Sequence, residues 1–151
     1  MRMKVILQRV TQASCVVDEK VTGQIKDGYM ALVGISADDQ EELLEKMADK
    51  VINLRVFSDE EGKMNRSLLD VKGDILSISQ FTLYADCKKG RRPSFTHAAK
   101  PDISSPMYDK FNEILREKGI HVETGIFGAD MKISLLNDGP VSIILDSDEL
   151  F

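Results

Sequence analysis

Cysteine and histidine are scarce in this chain of 151 residues, and long apolar runs are missing from it. Cys15 and Cys87 stand far from each other and from His97 and His121, so neither a disulfide framework nor a zinc site is signalled. Two buried or half-buried thiols are expected instead. No apolar stretch approaches the roughly 18 residues that a membrane helix needs, and the first residues alternate like a strand rather than forming a leader. A soluble, cytoplasmic protein without a membrane partner is therefore expected. Internal repeats and low-complexity tracts are also lacking. With 42% hydrophobic and 30% charged residues, the composition suits one domain over residues 1–151 with an ordinary core.

The charge balance excludes another class. Twenty basic against 25 acidic residues give a net charge of −5, which argues against gripping DNA or any long nucleic acid by general phosphate attraction. The charge is nevertheless uneven, because Lys88, Lys89, Arg91 and Arg92 surround Gly90 with no acidic residue among them. A solvated loop is the plain reading of such a run. A patch of this size would also suit a few phosphates at the end of an RNA.

Periodicity places the elements. Lys4 to Val10 alternates, Ser14–Val17 and Val21–Ile25 read as a hairpin across Asp18-Glu19-Lys20, and Tyr29–Ile35 reads as a buried strand. Asp38 three residues before Glu41 forms an acidic variant of a capping box. Leu43, Leu44, Met47, Ala48, Val51 and Ile52 then recur on one face of a helix running to about Leu54. Asp59 to Lys63 is a polar turn, and Ser67 to Asp74 leads into the strand that ends at Ser79. No period runs from Asp86 to Ser105, and so long an irregular stretch is usually mobile or functional. Ser105 with Pro106 predicts the start of a second helix, with Met107, Phe111, Ile114 and Leu115 inward and Gly119 at its end. Val122–Phe127, Met131–Leu136 and Val141–Leu145 complete the strands, with Gly139-Pro140 in a tight connection between the last two. The sum is an α/β fold of mixed sheet with two main helices.

Two segments carry chemistry. In Asn137-Asp138-Gly139-Pro140-Val141-Ser142 the Gly-Pro step admits either peptide isomer, since a tertiary amide cuts the trans preference to roughly 0.5–1 kcal/mol. A cis bond would aim two carbonyl oxygens the same way, as a rigid acceptor fork; a plain turn is the alternative that spacing favours. In Ser79-Gln80-Phe81-Thr82-Leu83 a strand delivers hydroxyls and an amide to its end.

Together these two segments resemble the signature motifs of the D-aminoacyl-tRNA deacylases. The resemblance spans the chain, from Met1-Arg2-Met3-Lys4-Val5-Ile6-Leu7-Gln8-Arg9-Val10 through Lys88-Lys89-Gly90-Arg91-Arg92-Pro93-Ser94-Phe95 to Gly128-Ala129-Asp130-Met131. Ser142 departs from the family's threonine but keeps the hydroxyl. The resemblance implies a three-layer β/β/α arrangement and a homodimer in which the Gly139-Pro140 motif of one subunit reaches the active site of the other. It implies hydrolysis of the ester of D-aminoacyl-tRNA, rejection of L-aminoacyl-tRNA through a Gly-cis-Pro chirality filter, and tolerance of glycyl-tRNA. The aminoacyl-tRNA 3′ end is the partner it implies, with Arg9 helping to hold the Gly-Pro motif and the terminal ribose hydroxyl taking part in the chemistry. For Arg9 the plain reading is a strand-surface charge.

The proposed substrate sets the mechanism. The ester is already an activated acyl bond, so water attack needs mainly positioning and oxyanion stabilisation, and neither metal nor cofactor is called for. Gln80 and the backbone N–H of Phe81 are the candidate donors, with Ser79 beside them. Thr82 is either a nucleophile or a positioning group, and a hydroxyl nucleophile needs an adjacent base. Neither His97, in the basic segment, nor His121, at a strand start, stands in a recognisable triad. Phe81 and Phe95 are candidates to stack on the terminal adenine, the alternative for Phe95 being a loop anchor. Lys88, Lys89, Arg91 and Arg92 would meet acceptor-stem phosphates. The competing reading is a non-catalytic RNA-end or nucleotide-binding module in which Gly139-Pro140 is only a turn.

Overall fold

The computed structural model describes residues 2–151. Strand β1 (Lys4–Val17) is a single run of 14 residues, joining the two strands expected there. It turns at Asp18 and Glu19, both at positive φ, into β2 (Lys20–Ile25). Two residues with φ > 0 form the kind of turn whose twist matches a hairpin. Next come β3 (Gly28–Gly34), α1 (Glu41–Asn53), the ribbon β4 (Phe57–Ser58) and β5 (Met64–Arg66), and the short α2 (Leu68–Val71). The chain continues with β6 (Asp74–Ser79), a 3₁₀ turn (Phe81–Tyr84), α3 (Pro101–Glu117), β7 (Val122–Thr124), β8 (Lys132–Asp146) and α4 (Ser147–Leu150).

The order β2-β1-β3-β6-β7 forms one sheet, and β8 joins it along β1. β3, β6 and β7 are parallel; β1 is antiparallel to β2, β3 and β8. The sheet curls into a near-barrel. Gly23 makes that closure possible, because a Cβ there would stand 2.8 Å from the Thr124 carbonyl oxygen. One apolar cluster lies between sheet and helices, built from Met3, Val5 and Leu7 of β1, Leu44, Met47 and Val51 of α1, and Phe111 and Leu115 of α3. The other, with Val10, Cys15, Met30, Leu76 and Ile78, is enclosed by the curled sheet itself. Burying a large apolar side chain stabilises by about 1.5–3 kcal/mol, so both faces of β1, β3 and β6 are worth covering. Cys15 is buried and Cys87 exposed. No helix among the described residues is long and apolar enough to cross a membrane.

Three expectations are corrected here. α1 is not capped by Asp38: Gln40 holds the cap position without a side-chain bond, and the neighbouring Asp39 carboxylate accepts from the Ser36 N–H at 2.7 Å. The chain turns before the helix, and the acidic side chain closes that turn. α3 starts at Pro101, five residues before Pro106, which lies inside the helix. Both prolines satisfy the rule for a helix start, but the buried face already includes Ser104, Met107 and Tyr108, and packing extends the helix toward it. Finally, Gly139-Pro140 does not link two paired strands. Both halves of β8 run along β1, so the motif is a bulge in one 15-residue strand.

Candidate active site

Parallel pairing decides where the first chemical segment lies. Val33 of β3 stands opposite Ser79 of β6, and the Gln80 N–H donates to the Val33 carbonyl at 2.8 Å. The chain therefore leaves the sheet at the carboxyl edge of its parallel strands, where ligands bind in open α/β sheets. It then winds into the 3₁₀ turn at Phe81, whose first N–H groups have no partner within the turn.

Here opens a cleft of about 530 Å³, lined by Ser79, Gln80, Phe81, Phe95, Phe127 and Met131 among others. β7 stops at Thr124 rather than running to Phe127, and the turn closed by Ala129 N–H to Ile126 C=O (3.1 Å) brings Phe127, Gly128 and Ala129 to the wall. The sequence attaches no role to Gly128–Met131 beyond the resemblance, and the signal for this wall comes only from the fold. Phe81 and Phe95 meet edge to face with ring centroids 5.1 Å apart, leaving Phe81 56% exposed. Phe95 thus anchors its loop on Phe81.

Thr82 is exposed, and its hydroxyl accepts a hydrogen bond from the Gln80 Nε2. A carboxamide donor cannot take the hydroxyl's proton, so this partner is not a base. Neither histidine supplies one in its place: His121 Nε2 lies 2.9 Å from Glu123 Oε2 at the surface, and neither His97 nor His121 lines the cleft. Beneath the cleft the Tyr108 hydroxyl donates to the Ser77 carbonyl at 2.6 Å, and burial raises the phenol's pKa. Tyr84, inside the 3₁₀ turn, donates to the Gly34 carbonyl at 2.8 Å; burial, then the charge of Asp39, raises its pKa as well. Both phenols stay protonated; Tyr84 ties the turn to β3, and Tyr108 ties α3 to β6. Among the described residues, no three His, Cys, Asp or Glu side chains gather as metal ligands.

The basic loop leaves this site through a neck. Asp86 and Ser94 exchange backbone hydrogen bonds of 2.7 and 2.9 Å, and Lys88, Lys89, Arg91 and Arg92 are exposed beyond it, with Gly90 at φ +65.

Gly139 and Pro140 lie elsewhere and do not line the cleft of their own chain. Their peptide bond is cis. Gln8 pairs with Ser142 and Val10 with Asn137, so residues 138–141 bulge out opposite Arg9 alone. Arg9 is no surface charge. It is 8% exposed, donates from Nε to the Asp138 carbonyl at 3.0 Å, and donates from Nη1 to the Val56 carbonyl at 2.7 Å. The Asp138 carboxylate, 3.6 Å away, balances part of its charge. Tyr29, paired with Arg9 across β1 and β3, has its pKa raised by burial against a smaller opposing effect of the guanidinium.

Residues 6–146 match the protein family described as D-Tyr-tRNA(Tyr) deacylase. The D-aminoacyl-tRNA deacylase of Bacillus pumilus (strain SAFR-032) is 60% identical over 97% of this chain and 100% of its own length. That of Thermus aquaticus is 56% identical over 97% of both chains. Among solved structures, the c-Myc DNA Unwinding Element Binding Protein superposes with a TM-score of 0.89 at 41% identity, covering 94% of this chain and 97% of that one. A probable eukaryotic D-amino acid tRNA deacylase has the same fold at 21% identity, with a TM-score of 0.83 over 97% of this chain and 100% of that one.

Proposed function

This chain belongs to the D-Tyr-tRNA(Tyr) deacylase family, and on that premise we propose that it hydrolyses the ester of D-aminoacyl-tRNA, releasing free D-amino acid and tRNA. The observation that carries the mechanism is the mouth of the cleft. Gln80 and the N–H groups opening the 3₁₀ turn stand there together, and among the described residues no hydroxyl lining the cleft is hydrogen-bonded to a base. Such a site suits attack by water on an activated ester, with Gln80 and the Phe81 N–H receiving the developing oxyanion. Ser79 lines the same mouth, and Thr82 fixes the Gln80 amide rather than attacking.

Selection rests on the bulge. The carbonyls around Gly139-Pro140 would accept from the substrate ammonium and leave no room for an L-side chain. Since the bulge of one chain does not reach its own cleft, the active unit is a homodimer in which each copy offers its bulge to the other. Exposed Leu136 and Ile144, 56% and 69% accessible on β8 to either side of the bulge, suit a covered surface. Glycine has no side chain to exclude, so glycyl-tRNA, including tRNA(Ala) mischarged with glycine, is admitted. Lys88, Lys89, Arg91 and Arg92 meet acceptor-stem phosphates, while Phe81 and Phe95 pack near the terminal adenine.

The test is release of tyrosine from D-tyrosyl-tRNA and from L-tyrosyl-tRNA by the purified protein with a chelator present. Turnover of the D-ester alone is expected. Binding of either tRNA without turnover would overturn the proposal in favour of a non-catalytic RNA-end module.

A further inference from the structure

We propose that Gln8 is a positioning residue for the chirality motif, setting the pitch of the Gly139-Pro140 bulge through a hydrogen-bond relay across its neck. This inference rests on the function proposed above.

A bulge of four residues opposite one partner loses its ladder bonds, so something other than the sheet must fix its direction. Side chains of β1 do so. β1 pairs regularly with β3 at this point, Gln8 facing Met30 and Arg9 facing Tyr29. Successive strand residues point to opposite faces. Arg9 consequently holds the Asp138 carbonyl from the helix-covered face, and Gln8 acts from the other.

The Oε1 atom of Gln8 accepts from Asn137 Nδ2 at 3.0 Å and from the Ser142 hydroxyl. Those two residues are the last before and the first after the bulge, so one oxygen ties its two ends together. The relay then continues inward. With its Nδ2 committed to Gln8, the Asn137 amide turns its Oδ1 toward the Val141 N–H, 3.4 Å away, immediately after Pro140. Arg9 determines how far the bulge is drawn down, and Gln8 determines the angle at which its carbonyls leave the sheet.

Gln8→Met conserves length and apolar contact and removes the acceptor; Gln8→Glu keeps an oxygen that accepts both bonds. In Gln8→Met the Val141 amide should exchange with solvent about tenfold faster and the D/L ratio of kcat/KM should fall about tenfold, a change equivalent to about 1.4 kcal/mol. Gln8→Glu should restore both. Asn137→Ala, which cuts the relay from its other end, should behave like Gln8→Met and serves in its place if that variant does not fold. A Val141 amide that exchanges as in the wild type, or a D/L ratio that Gln8→Met leaves unchanged in a wild-type enzyme that is itself D-selective, overturns the assignment. If the wild type shows no D-selective turnover, the proposed function fails, and the exchange measurement alone decides whether Gln8 positions the bulge.

Discussion

The segments Ser79–Thr82 and Asn137–Ser142, both proposed to offer backbone groups to the substrate, are built in opposite ways. The first is placed by topology: the parallel strands β3 and β6 end together, and the chain leaves β6 at that edge, with the Tyr84 and Tyr108 hydroxyls holding what lies around it. The second interrupts a strand already paired on both sides of it, and it is held by side chains of β1, Arg9 from one face and Gln8 from the other. On the proposed function this difference has a reason: donors for an oxyanion tolerate placement by the fold, whereas a motif proposed to measure a substituent's handedness needs its own clamps, because a misaimed carbonyl would change which enantiomer fits.

The comparison breaks most sharply at Gln80. Gln80→Ala should lower kcat by about 10²–10³, the usual loss for one oxyanion donor, and leave the D/L ratio intact. Single-turnover rates on both esters measure this, and a lost preference instead would place chirality in the cleft rather than in the bulge. Gly139→Ala should do the reverse. Gly139 sits at φ +126, and a Cβ there would meet Val141 Cγ2 at 2.8 Å and Arg9 Nη2 at 3.0 Å. Strain of about 1–3 kcal/mol then bears on the clamp, and the D/L ratio should fall about tenfold or more while the L-ester becomes a substrate. The smallest effect belongs to the loop. Lys88→Glu with Arg92→Glu should raise KM about fivefold and lower the log–log salt slope by about one per lost phosphate contact. The D/L ratio should not move; an altered ratio in a salt titration of kcat/KM would remove the loop from its assigned role.

Much of this was legible in the order of residues because it depends on local pattern. Alternation marks β1, and the 3.6-residue recurrence of Leu44, Met47, Ala48 and Val51 marks α1. The two segments proposed to carry chemistry stand out by their resemblance to the family's signature motifs, since spacing alone favours a plain turn at Gly139-Pro140. What was misread depends on competition between equal local signals. Pro101 and Pro106 are both good first residues of a helix, and only packing against the sheet selects Pro101. Gly139-Pro140 fits a turn as well as a bulge, and only the partner strand, which continues past it, distinguishes them. For Arg9 the resemblance implies a hold on the Gly-Pro motif, which its bond to the Asp138 carbonyl matches, while the residues alone suggest a surface charge because its partners, the Val56 and Asp138 carbonyls, are backbone atoms distant in sequence.

By itself, then, the sequence determined which residues are apolar at which period, where the chain can turn, and which polar groups are available, since these follow from side-chain chemistry and near neighbours. Tertiary structure alone decided that Gln80 and Phe81 open onto a cleft, that Arg9 is buried, and that the Gly-Pro step is a clamped bulge outside its own cleft. Those outcomes depend on contacts between residues more than 40 positions apart, such as Arg9 with Val56 and Gln8 with Asn137, and no local pattern carries them.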